Sequence, residues 1–335
     1  MFQQPQPGRK VMTISDAFQS RLPNIPQAPN ARTGLHSSDF AARHTTPPKF
    51  WADRTLSPYV TRAEAALQTQ AVRREILGNY MPSMERTFNI RSKADVARAA
   101  SLYFLHPANI ALVAAHPDVD IECLLEISST GNHVRPDIIY TVKGRVFAVV
   151  KFEIMGVIVR GEFDEARLPM TASTSKVNSM IQAAMGNQDR TTFGGNAAKI
   201  VKQMAQYSQK HHFNTQYVAL FNWDLLFLSV FNSDTTESIH GSLVNRTASD
   251  GNNLLKAFFG WLLEAYENLG QSNLSAPGKS GRGASTQGAE AGPGTPQRPA
   301  QLQYGPGQIP IAMRTRTQQQ AKEEESFNGK GKGRK

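Results

Sequence analysis

Charged side chains gather in one otherwise apolar stretch, HVRPDIIYTVKGRVFAVVKFEI, residues 133–154. Asp137 follows a proline, Lys151 and Glu153 stand two residues apart, and Arg135 is near by. Strand residues alternate faces, so positions 151 and 153 share one. Val146, Ala148, Val150, Phe152 and Ile154 form one apolar set from 145 onward, and Phe147 and Val149 lie on the charged face. That pattern predicts a strand buried on both sides, admitting charge at its far end. A buried charge is costly unless it is paired or holds an ion, so this end of the strand is the place to look for chemistry. Other candidates carry less. His211 and His212 are adjacent, point apart, and suit the last carbonyls of a helix better than a shared metal. His133 lies in the loop before Asp137, within approach of it or facing water.

The elements that must position these groups follow from periodicity and turn signals. TRAEAALQTQAVRREILGNY, 61–80, reads as a helix with a Thr61/Glu64 capping box. A second helix starts at Ser92, with Asp95 three residues on, is interrupted at Pro107, and is followed by the short helix ANIALVAAH. Strands are expected at 120–128, 135–142 and 145–154, the last two joined by a hairpin turn at Lys143-Gly144. VIVRGEF, 157–163, is expected to continue the sheet, and 164–194 to be loop with one short helix. A helix over 194–213 carries Gln203 and Tyr207, strands follow at 216–223 and 225–231, and an apolar helix over 252–270 closes the domain. The fold class is therefore α/β, a mixed central sheet flanked by helices.

The hairpin leaves two registers open. With a two-residue loop, Asp137 faces Val150 and lies opposite the Lys151 face. With three residues and a bulge at Lys143 to Arg145, Asp137 faces Lys151. A two-position slip displaces a strand side chain by ~6.6 Å, so only the second register assembles a site.

A Pro-Asp on the second strand and a charged pair on the third resemble the PD-(D/E)XK nuclease superfamily, whose fold is restriction-endonuclease-like. The resemblance covers roughly residues 92–232. VKQMAQYSQKHHFNTQYVALFNWDLLFLSVF is similar to a group of fungal proteins with such a core. The resemblance implies that Asp137 and a second acid hold Mg²⁺ and that a lysine positions or activates water. Pro136-Asp137 matches the first half of the motif. The second half is either Val149-Val150-Lys151, with the acid missing, or Lys151-Phe152-Glu153, with the order reversed. Gln203 and Tyr207 match the helix after the third strand, and Glu126 on strand one is a supporting acid. The implied set is Asp137, Lys151, Glu153 and Gln203 for catalysis, with Asp137, Glu153 and Glu126 for the metal.

Composition bounds the rest. Residues 1–60 hold eight prolines and no periodic apolar run, and residues 271–335 are rich in Gly, Ser, Pro and Gln and end in KGKGRK. Both read as disordered flanks around a nuclease-like domain over 61–270. Residues 1–60 carry seven Lys/Arg and three Asp, and residues 271–335 carry ten Lys/Arg and four Glu, so the flanks account for the formal +10. The domain between has twenty charges of each sign. Nucleic acid is thus expected as a partner through the basic tails. The single cysteine, Cys123, excludes an intrachain disulfide, and no apolar run is long enough for a membrane span. The N-terminal residues lack an apolar signal region, so the expected location is nuclear or cytoplasmic. Two functions stay open: a nuclease-like, nucleic-acid-associated protein with impaired or lost metal-dependent phosphodiester hydrolysis, and a non-catalytic protein-interaction module that keeps the nuclease fold.

Overall fold

A two-residue turn, Lys143-Gly144, organises the sheet. Both residues have positive φ, 51° and 74°, as the twist of a tight hairpin requires. The turn joins strands Ile138–Val142 and Arg145–Phe152, β3 and β4 in chain order. The computed structural model describes residues 11–28, 45–83, 88–125, 136–209, 213–232 and 238–274, with backbone alone for the last five. These residues belong to one compact unit.

On one side of the hairpin, β2 (Ile121–Leu125) pairs antiparallel with β3. On the other, β4 pairs in parallel with β6 (Tyr217–Phe221), and helix α8 (Gly195–Ser208) leads the chain back to that position. β7 (Leu225–Phe231) and β8 (Ser238–Asn245) continue antiparallel. β1 (Phe50–Asp53) and the two-residue β5 (Arg167–Leu168) complete the far edge in parallel. The strand order is β2-β3-β4-β6-β7-β8-β1-β5, a mixed sheet of eight among the described residues. The expected α/β class with a mixed, helix-flanked sheet holds.

Helices cover both faces. Tyr140 packs against Phe258, and Tyr217 against Trp261, of α9 (Leu254–Leu274). Phe104 stacks between Phe221 and Phe258 at centroid distances of 4.4 and 4.3 Å. Trp51 and Phe163 meet Phe227 on the opposite face, the one that α8 covers.

Several sequence expectations need correction. The helix over 61–80 is two helices, α2 (Ser57–Leu67) and α3 (Gln70–Gly78). Pro58, not a Thr61 cap, starts the first, and Glu64 pairs with Lys256 at 2.9 Å. The break at Gln68-Thr69 rephases the chain, so Leu67 is buried along with Val72 and Ile76. Pro107 does not interrupt its helix: α4 (Lys93–Ala100) passes through a π-turn, Ser101–Leu105, into α5 (His106–Ala115). Pro107 stands directly after the π-turn, whose wider i→i−5 bonding, as from the His106 N–H to the Ser101 carbonyl, accommodates it. Residues 157–163 leave the sheet at Gly156 (φ 84°) and enter α6 (Arg160–Asp164). Finally, the segment 1–60 is not disordered throughout. Ile14, Phe18, Leu22 and Ile25, three or four apart, are buried beside or within α1 (Ile14–Gln19), and β1 lies inside the sheet. The stripe is too small for a core of its own but docks onto one made elsewhere. The region 275–335 lies outside the described residues.

The closest helix contact involves α2 and α9, and Gly260 permits it. A Cβ there would stand 1.9 Å from the Tyr59 carbonyl oxygen. Gly260→Ala is therefore expected to cost about 1–3 kcal/mol in urea denaturation. Gly78→Ala, which meets nothing within 4 Å, should be neutral or stabilising by up to about 1 kcal/mol.

Candidate functional site

The register of the hairpin combines features of both expectations. The turn has two residues, since Val142 partners Arg145. The register then shifts between Tyr140 and Thr141, where Thr141 partners Val146 but Tyr140 partners Ala148. Phe147 is the extra residue of a β-bulge, and such a bulge resets which face the following residues occupy. Ile138 consequently partners Val150, and one step further Asp137 comes opposite Lys151. The bulge is thus near 147 rather than at Lys143 to Arg145. Asp137 and Lys151 share the α8 face, because Lys151 and its neighbour Leu220 alternate with Phe152 and Phe221, whose rings meet on the α9 face.

β4 is buried from Phe147 through Phe152, as its pattern predicts. Its charges lie at the end. Lys151 Nζ is 3.0 Å from Glu153 Oε1, and the two side chains are only 6% and 8% exposed. The Glu153 N–H donates to the Phe221 carbonyl at 2.9 Å, which holds the residue in line with the strand. Asp137 uses both carboxylate oxygens. Oδ2 accepts the Phe152 N–H at 2.8 Å, extending the ladder beyond the start of β3. Oδ1 is 2.9 Å from Lys93 Nζ.

Lys93 is the residue that sequence reasoning missed. Ser92 caps α4 in a reciprocal box with Asp95, and this fixes Lys93 at the first helical position. A lysine there opposes the positive end of the helix dipole, so it needs a carboxylate partner from elsewhere. That misfit with the dipole is the signal the sequence does contain.

α8 covers the cluster. Its first turn is built by Glu162, whose Oε2 accepts the Ala197 N–H at 2.9 Å. Gly195 (φ 38°) makes room: a Cβ would stand 2.2 Å from Glu162 Oε1. Gln203 and Tyr207, four residues apart on one side of α8, are both buried. Burial pushes the Tyr207 hydroxyl well above the usual tyrosine range. The nearby Asp137 carboxylate adds to that, Lys93 opposes it, and Glu153 contributes in the same sense as Asp137. Tyr207 therefore stays protonated at neutral pH and can donate.

The structure thus brings together Asp137, Lys151, Glu153 and Tyr207, with Gln203 on the same helix side and Lys93 added. Glu126, His133, Arg135, His211 and His212 lie outside the described residues. Glu122 lies on the meander, where it accepts the Thr141 hydroxyl at 2.8 Å.

As a metal centre, this donor set does not suit Mg²⁺. The ion needs oxygen ligands at ~2.1 Å in an octahedral arrangement. Here each carboxylate already has an ammonium group, at 2.9 and 3.0 Å. The two acids and two lysines sum to zero charge, and a dication would meet two cations at close range. Among the described residues no group of three or more His, Cys, Asp or Glu side chains converges.

A second buried polar cluster was not foreseen. Glu264 of α9 accepts both guanidinium nitrogens of Arg54, at 2.7 and 2.9 Å, Arg62 at 3.2 Å and the Tyr217 hydroxyl at 3.2 Å. Burial pushes the hydroxyls of Tyr59 and Tyr217 well up; the Glu264 carboxylate adds to this for both, and Arg54 opposes it. The signal was Glu264, an acid set directly after the apolar run FFGWLL.

No family model, curated protein or solved structure matches the chain.

The Lys151–Glu153 pair supports a thermodynamic test. Lys151→Ala leaves a buried, unpaired carboxylate and should lower stability by about 3–5 kcal/mol. Replacing both, as Lys151→Met with Glu153→Leu, should recover most of that loss. Urea unfolding of the two variants measures the difference.

Proposed function

We propose that the chain is a nuclease-like, nucleic-acid-associated protein in which metal-dependent phosphodiester hydrolysis has been lost. The observation that carries this reading is the pairing of both candidate metal acids with lysines, Asp137 with Lys93 and Glu153 with Lys151. The fold supports it. Three successive strands form a meander, and after three helices and the two-residue β5 the strand β6 joins in parallel beside the third. The Pro-Asp element stands at the start of the second of these strands and the charged pair at the end of the third, as in the PD-(D/E)XK resemblance. The remaining motif residues keep places without an evident reaction. Tyr207 faces the cluster from α8 with Gln203 on the same helix side, but each acid they would assist already has an ammonium partner.

Association with nucleic acid rests on charge. Residues 271–335 carry a net +6 and the stretch 61–270 is balanced. Cationic chain segments bind phosphate backbones by releasing counterions, without reading bases. In this division of labour the folded unit is a scaffold and the basic segments make the contacts.

Two measurements test the proposal. The full chain, incubated with Mg²⁺ or Mn²⁺, should leave labelled DNA and RNA intact, at the same background rate as Asp137→Ala. Metal-dependent cleavage that Asp137→Ala abolishes would refute the loss of hydrolysis. Binding to a DNA duplex should weaken by about 10³-fold or more between 50 and 200 mM salt, if at least six phosphates are contacted. Deleting 271–335 should remove most of it. Binding that survives the deletion, or that ignores salt, would favour the protein-interaction alternative.

A further inference from the structure

Taking Asp137 and Glu153 as the counterparts of the nuclease acids, we infer that Lys93 and Lys151 together replace the metal: they act as a tethered dication. The charge is the same, two positive units against two carboxylates. The placement is also the same in kind, with one ammonium group on an oxygen of each acid, at 2.9 and 3.0 Å. The two lysines arrive from different elements. Lys151 belongs to β4 and is fixed by the strand, and Lys93 is held out from α4 by the Ser92/Asp95 cap. Neither position follows from the needs of its own element. A lysine in a first helical turn opposes the dipole, and a lysine in a strand buried on both faces is costly without a partner.

Tyr207 registers the convergence independently. Its hydroxyl senses Asp137, Lys93 and Glu153 together, so charges from α4, β4 and the segment before β3 surround one point on α8. Lysine differs from a metal ion in two ways that matter here. It cannot dissociate, so the cluster is neutral at any metal concentration. It also has no vacant coordination position, so it cannot polarise a phosphate and activate water at once. The substitution keeps the fold's electrostatic balance and removes the chemistry.

Mn²⁺ is the probe, applied to the full chain by calorimetric titration and thermal unfolding. The unaltered protein should show no Mn²⁺ binding that depends on Asp137 and no Mn²⁺-dependent rise in Tm. Lys93→Met with Lys151→Met exposes both acids. That variant should melt lower, bind one Mn²⁺, and regain Tm as the ion is added, because a ligand of the native state stabilises it. Adding Asp137→Asn should abolish the response, which excludes a site elsewhere. If the double variant does not fold, Lys93→Met alone decides, since this side chain is 39% exposed and its loss is tolerable. It should gain Mn²⁺ binding and a Mn²⁺-dependent rise in Tm that the unaltered protein lacks, from the removal of one unit charge beside Asp137. Lys93→Arg, which keeps the charge, should remain silent. Asp137-dependent Mn²⁺ binding by the unaltered protein overturns the inference, as does a folded lysine variant with no response. Failure of this kind leaves the loss of hydrolysis standing, because that is judged by cleavage alone.

Discussion

The Lys151–Glu153 ion pair, almost dry at the end of the central strand, is the constraint to which the rest of the site answers. Desolvating two charges costs several kcal/mol each, and their mutual attraction offsets this only with good geometry and further hydrogen bonds. Three devices meet that requirement. The bulge at Phe147 turns Asp137 onto the face of Lys151. The Ser92 cap delivers a second lysine to balance Asp137. Glu162, admitted by Gly195, fixes the start of the helix that closes over the cluster with Gln203 and Tyr207. Without the bulge, Asp137 would fall on the aromatic face among Phe152 and Phe221. Without Lys93 the cluster would carry an excess negative charge.

The Glu264 cluster shows how a buried acid looks when its purpose is architectural. Its carboxylate is saturated by donors from β6 and from the residues at the end of β1 and on α2, so it clamps three elements to α9. The donors approach from different directions and no partner lies on the same strand or helix. Glu153 is different. Its partner Lys151 stands two positions away on the same strand and clamps nothing that the strand does not already join, whereas Asp137 ties α4 to the sheet through Lys93. The Lys151–Glu153 pair therefore adds little architecture, and this is the property that the proposed reading explains.

Much of this was legible in local sequence and some was not. Lys151 and Glu153 stood out because two charges interrupted an apolar strand, and the alternation rule placed them together. Lys143-Gly144 marked its turn because few residues accept positive φ. The bulge could not be read, because its position depends on how Phe147 and the Tyr140–Thr141 step pack against helices remote in sequence. Lys93 was hidden for a similar reason: its cap was local and visible, but the partner that makes its position tolerable is 44 residues away along the chain. The strands β1 and β8 were missed because each is placed by its neighbours in the sheet, β8 by β7 and β1 by β8 and β5. FWAD is too short, and SIHGSLVN too mixed, to announce a strand alone. Composition misled for 1–60, where prolines masked a four-residue spacing of apolar groups that needs only an existing surface to become a helix.

The proposed replacement of the metal by two lysines has a consequence for where function can reside. An active metal site must stay open to water and substrate, so its walls are held apart against the tendency to collapse. Here both acids are held by lysines, Gln203 and Tyr207 on α8 are buried, and the central strand stays enclosed to its end. On the proposed reading, recognition lies on surfaces outside this centre. The balanced charge of 61–270 offers no field to steer a polyanion, whereas the cationic segment 271–335 does. On the proposed reading, neutrality at the sheet end and the cationic composition of 271–335 belong together: the charge-balanced stretch 61–270 supplies the scaffold, and the basic segment supplies the attraction for phosphate.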